Sequence, residues 1–94
     1  MSMKWKTPKD PDEVLDYVVD YSSRMEPGDR IASIMEVSVV EGTVHIDSYG
    51  FTDNRLTVWL SGGSEGESCP ILFRITTEGG RLLDQTVVVK IKSK

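Results

Sequence analysis

Glu13-Val14-Leu15-Asp16-Tyr17-Val18-Val19-Asp20-Tyr21-Ser22-Ser23-Arg24-Met25 is the stretch on which the fold turns, because it reads two ways. Val14, Leu15, Val18 and Val19 suit one face of a helix, and Pro11 after Asp10 suits a helical first turn. Leu15, Tyr17, Val19 and Tyr21 instead suit one face of a strand. The β-branched and aromatic side chains of Val14, Tyr17, Val18, Val19 and Tyr21 favour the strand, which makes the chain all-β if the remainder agrees.

The remainder agrees. Glu26-Pro27-Gly28-Asp29 has turn composition, and Ile31 to Val40 follows as a strand whose second half alternates most clearly. Glu41-Gly42 reads as a tight hairpin into Thr43–Tyr49, with Val44 and Ile46 inward, His45 and Asp47 outward, and Gly50 ending the strand. After Asp53-Asn54, Leu56, Val58 and Leu60 face one way while Thr57, Trp59 and Ser61 face the other. The stretch from Ser61 to Glu67 holds three glycines and reads as the most flexible loop. Cys69, Ile71, Phe73 and Ile75 alternate with Pro70, Leu72, Arg74 and Thr76, and the proline suits a strand start or edge. Glu78-Gly79-Gly80 turns the chain into a last strand alternating Leu83, Gln85, Val87, Val89 and Ile91 with Asp84, Thr86, Val88, Lys90 and Lys92. Six to seven short strands with regular turns predict an immunoglobulin-like antiparallel β-sandwich, with a small barrel as the other option.

At 94 residues the chain fits one domain, read as residues 13–94 behind an extended leading segment, 1–12, expected to have little structure of its own. No apolar run approaches the roughly 20 residues of a bilayer span, and the opening residues lack a secretory signal, so a soluble, cytoplasmic product is expected. The single cysteine, Cys69, leaves the fold to packing alone. All six lysines lie at residues 4–9 or 90–94, whereas residues 10–89 hold fifteen acids against five arginines, a balance of −10. Such a body repels phosphate backbones, which argues against nucleic acid; the lysines read as solvated guards of the terminal strands.

The chemical inventory is thin. His45 and Cys69 have opposite parity on separate strands and no orienting third group, so no catalytic residue is assigned. His45 reads as solvent-facing and Cys69 as core. One histidine and one cysteine cannot build a zinc site. The acids Asp10, Asp12, Glu13 and Asp16, and Asp47 with Asp53, leave calcium open, although no loop has an EF-hand pattern. Gly62-Gly63-Ser64-Glu65-Gly66 lacks the lysine and the following helix of a phosphate loop. Neither a metal nor a cofactor is assigned.

Three blocks, in order, carry a resemblance: Lys9-Asp10-Pro11-Asp12-Glu13-Val14-Leu15-Asp16-Tyr17, Thr57-Val58-Trp59-Leu60-Ser61-Gly62-Gly63, and Ile75-Thr76-Thr77-Glu78-Gly79-Gly80-Arg81. Across nearly the whole chain they resemble the small fiber-tail adaptor proteins of tailed bacteriophages. The resemblance implies a noncatalytic virion component, made in the host cytoplasm, that joins tail or fiber proteins, with a homo-oligomer as an option in the particle. The candidate partner-binding residues are Trp5 and Lys6 in the leading segment and Arg55 and Trp59 in the strand after Asp53-Asn54. The alternative is a carbohydrate-binding module in which an exposed aromatic such as Trp59 stacks on a sugar ring.

Overall fold

The stretch that reads two ways is a strand. In the computed structural model, which describes residues 2–94, Leu15–Asp20 is extended, and Tyr17, Val19 and Tyr21 are buried while Asp16, Val18 and Asp20 are exposed. Burial at period two follows Tyr17, Val19 and Tyr21, and among the described residues the one helical turn, Ser22–Arg24, begins only after Tyr21 has entered the core.

Seven strands form two sheets: β1 (Ser2–Lys4), β2 (Leu15–Asp20), β3 (Ile31–Val39), β4 (Val44–Thr52), β5 (Arg55–Gly62), β6 (Ser68–Thr77) and β7 (Leu82–Lys90). One sheet has the order β1-β7-β6-β3 and the other β2-β5-β4. Apart from the first strand, this division is that of an immunoglobulin sandwich, whose second, fourth and fifth strands pack against its third, sixth and seventh. The first strand lies parallel to β7, pairing Ser2 with Thr86 and Lys4 with Val88. Leu56, Val58 and Leu60 from β5 and Cys69, Ile71, Phe73 and Ile75 from β6, all buried, fill the space between the two central strands. Among the described residues no helix is long and apolar enough to cross a membrane.

Four local expectations are corrected. Glu41-Gly42 does not close a hairpin, because β3 pairs with β6 and β4 with β5, so the chain crosses between sheets there. Gly42 takes φ +107° at this crossing, and a Cβ on it would collide with Cys69 Sγ. Gly50 does not end its strand, which continues to Thr52. A bulge between Ile46 and Ser48 also reverses the parity of β4, so that Tyr49 and Phe51 stand opposite buried Val58 and Leu56. The Ser61–Glu67 loop is pinned: Glu67 Oε1 accepts from Thr43 Oγ1 at 2.8 Å and Ser64 N at 2.8 Å, and these bonds hold its carboxyl below the ordinary glutamate range.

Lys9 is the fourth. Rather than guarding a terminal strand in solvent, it is fully buried, its Nζ donating to Asp10 O at 2.9 Å and Gly62 O at 2.6 Å. Burial pushes its ammonium below the ordinary lysine range, against the pull of Glu13, Asp10 and Asp12. The surrounding backbone joins the ends of the chain: Lys9 N donates to Lys90 O and Lys92 N to Lys9 O.

The leading segment, expected to have little structure of its own, lies along one side of the sandwich. Trp5 N donates to Val88 O at 3.1 Å, Trp5 Nε1 to Val18 O at 3.0 Å, and Tyr17 Oη to Thr7 O at 3.0 Å. The indole stacks at a tilt on Tyr17, ring centroids 4.7 Å apart, and meets Phe73 edge-on at 6.0 Å. Trp5 thereby spans the gap between β2 and the opposite sheet.

Candidate functional site

Central strand β5 turns Arg55, Thr57 and Trp59 away from the core, and its neighbours complete the outer face of the three-stranded sheet. Trp59 stands between Asp16 of β2 and Ser48 of β4, Thr57 between Val18 and Gly50, and Arg55 between Asp20 and Thr52. Gly50 contributes no side chain, and the space over it is open. The result is a shallow groove of about 520 Å³ floored by Val18, Thr57 and Trp59, with Arg55 at one end and β4 as its wall. Trp59 is 43% exposed and Val18 42%, an apolar pair left uncovered on an otherwise polar strand face.

Charge sits at the groove's end. Arg55 Nε lies 3.6 Å from Asp20 Oδ2, and the Asp20 carboxyl is held below its ordinary range first by Ser22 N, which donates to it at 2.9 Å, and further by Arg55. Both partners are largely in water, so the pair contributes little to stability and Arg55 is free to exchange partners. The outer face of the four-stranded sheet is finished differently, with Glu36, Arg74 and Asp84 directly opposite one another across β3, β6 and β7. Arg74 holds Asp84 at 2.8 Å and Glu36 at 3.8 Å, so its charges are mutually satisfied.

Of the four residues singled out from the sequence, the structure joins Arg55 and Trp59 on one strand face. Trp5 sits at the margin of that face, gripping the carbonyl of Val18, whose side chain lies in the groove. Lys6 is exposed beside it in the chain, outside the groove lining. Sequence reasoning missed Val18 and the β4 wall. Val18 was legible as the outward member of the Tyr17-Val18-Val19 run, whereas the β4 wall depends on a bulge no local pattern announces.

The two chemical candidates lie in different sheets. His45 is exposed on β4, and Cys69 is buried in the other sheet, where burial pushes its thiol up. Of the acids near the start, Asp10 and Glu13 are engaged as turn and terminus ties. Asp10 accepts from Asp12 N and Lys94 N at 2.8 Å each, and Glu13 Oε1 from Asp10 N at 2.8 Å and Lys94 Nζ at 2.9 Å. Among the described residues no group of three or more His, Cys, Asp or Glu could hold a metal ion.

Fold and site together define a small immunoglobulin-like sandwich whose outward feature is an aromatic, partly charged sheet face. A family model described as the podophage GP4 fiber-tail adaptor protein gp77 matches residues 9–90, nearly the whole chain. The chain belongs to this fiber-tail adaptor family, a family of structural virion components that meet tail or fiber proteins. No curated protein matches it significantly.

Proposed function

We propose that this chain is a noncatalytic adaptor that joins tail and fiber components of a phage or prophage particle by burying the groove around Trp59. It is made in the host cytoplasm before it enters the particle. Trp59 and Arg55 contact the partner, Lys6 adds charge at the margin, and Trp5 acts by holding Val18 in place. The observation that carries this reading is the uncovered Trp59–Val18–Thr57 surface in a member of an adaptor family. Large aromatics and arginine dominate the energetics of protein interfaces, and truncating such an anchor costs ~2 kcal/mol or more, about 30-fold in affinity.

The test is complementation of a phage lacking the gene with Trp59→Ala and, separately, Thr57→Lys, both confirmed folded by circular dichroism. Each is expected to reduce incorporation into tails at least about 30-fold. Normal incorporation of both would move the interface off this face. Binding of isolated oligosaccharides by the wild-type protein on a glycan array, abolished by Trp59→Ala, would replace the adaptor reading with a carbohydrate-binding one.

A further inference from the structure

Four strands end the two sheets, and three of them are blunted. β1 has only three residues. β2 is capped where Trp5 Nε1 takes the carbonyl of Val18. β3 shifts register twice, between Ile31 and Ser33 and between Ile34 and Glu36, and such bulges turn an edge away from further pairing. β4 is the exception. After its bulge, Ser48-Tyr49-Gly50-Phe51-Thr52 runs in unbroken register with β5, every residue exposed, and the whole strand carries no lysine and no proline.

Which backbone groups face outward follows from the hairpin. The two-residue Asp53-Asn54 loop makes Thr52 and Arg55 a hydrogen-bonded pair, and antiparallel pairs alternate. Gly50 and Ser48 are therefore bonded to β5, while Tyr49 and Phe51 point both N–H and C=O away from it. The same alternation carried across β5 requires Val18 to point its carbonyl out of the sheet, where Trp5 is found to take it. Tyr49 and Phe51 also expose 51% and 41% of their surface, because at the sheet margin their inward parity leaves them only half covered. The unpaired main-chain groups and the uncovered rings thus belong to the same two residues. Asp47, one carboxylate oxygen of which accepts from Ser61 Oγ at 2.9 Å, and Asp53 bracket the run, in a body that carries −10 over residues 10–89.

We propose that the free edge of β4 captures an extended cationic segment of a tail or fiber protein as an added strand. Its main chain bonds Tyr49 and Phe51, its apolar side chains cover the two rings, and its lysines or arginines meet Asp47 and Asp53. This deepens the adaptor reading and rests on it.

The test follows amide exchange in the full-length protein, free and in assembled tails. In the free protein Tyr49 and Phe51 amides exchange fast and those of Ser48, Gly50 and Thr52 slowly; in tails the first two slow at least about tenfold. Tyr49→Lys/Phe51→Lys and, separately, Asp47→Asn/Asp53→Asn, each shown to be folded, are expected to lower incorporation at least about tenfold. Wild-type incorporation with unchanged exchange at Tyr49 and Phe51 overturns the strand addition while leaving the adaptor reading intact. Unchanged incorporation of the asparagine variant overturns the cationic partner. Slowing that grows with protein concentration in the isolated protein assigns the edge to a second copy instead. Failure of the wild type to enter tails removes the adaptor reading and this one with it.

Discussion

On the side where β1 and β2 end the sheets, the leading segment fills the gap: Trp5 lies between Tyr17 and Phe73, Lys9 is sealed behind it, and main-chain bonds run to Val88 and Lys90. On the side where β3 and β4 end them, no segment among the described residues lies across the margin, and Met35, Tyr49 and Phe51 remain exposed at 60%, 51% and 41%. One sandwich therefore spends its only flanking segment on one side and leaves the other bare. Stability and recognition are divided accordingly. Substitutions on the closed side should unfold the domain, while substitutions on the open side should spare the fold and affect only assembly.

Lys9→Ala is the strongest challenge to that division. It leaves the half-buried carbonyls of Asp10 and Gly62 without their donor, at ~1–3 kcal/mol for each orphaned group. A loss of about 3 kcal/mol in urea unfolding is expected. A loss below about 0.5 kcal/mol would mean that water replaces the ammonium and that the closed side is not sealed there.

Trp5→Ala comes next. It removes the tilted contact with Tyr17, the edge contact with Phe73 and the bond to Val18 O, and Trp5 is only partly buried, so about 2 kcal/mol is expected, less than for a core aromatic. Urea unfolding followed by circular dichroism measures the change. If the domain keeps its full stability, Trp5 is held by nothing in its own chain and becomes available to a partner.

Much of this division was illegible in the sequence, for identifiable reasons. Alternation records which face a side chain takes relative to its neighbours, so Tyr17, Val58, Phe73 and Val87 could be assigned to the core. It does not record which strand lies alongside, so Glu41-Gly42 read as a hairpin although β3 pairs with β6, some forty residues on in sequence. Parity read through Asp47 fails because a single bulged residue exchanges the two faces beyond it. Lys9 looked like a solvated end because lysines are seldom fully buried, and the two carbonyls that accept it come from Asp10 and from Gly62, distant in the chain. Of the site, Trp59 and Arg55 followed from strand parity, whereas the open β4 edge required the sheet order.

The smallest expected effect sharpens the comparison most. Tyr49→Thr and Phe51→Thr replace half-exposed rings by a good strand former at positions facing neither a bonded pair nor a filled core, so each should change stability by no more than about 0.5 kcal/mol. Their rings stand opposite the buried Val58 and Leu56 but are not among the partly buried side chains packed against the core, and losing one ring should leave Val58 and Leu56 covered. Chemical denaturation of the two variants and of the double variant checks this, with additivity expected if each ring acts alone at the margin. A destabilisation of 2 kcal/mol or more would show that the rings roof the core. The β4 side would then be closed by its own aromatics, and the division between a stabilising flank and a recognition flank would disappear.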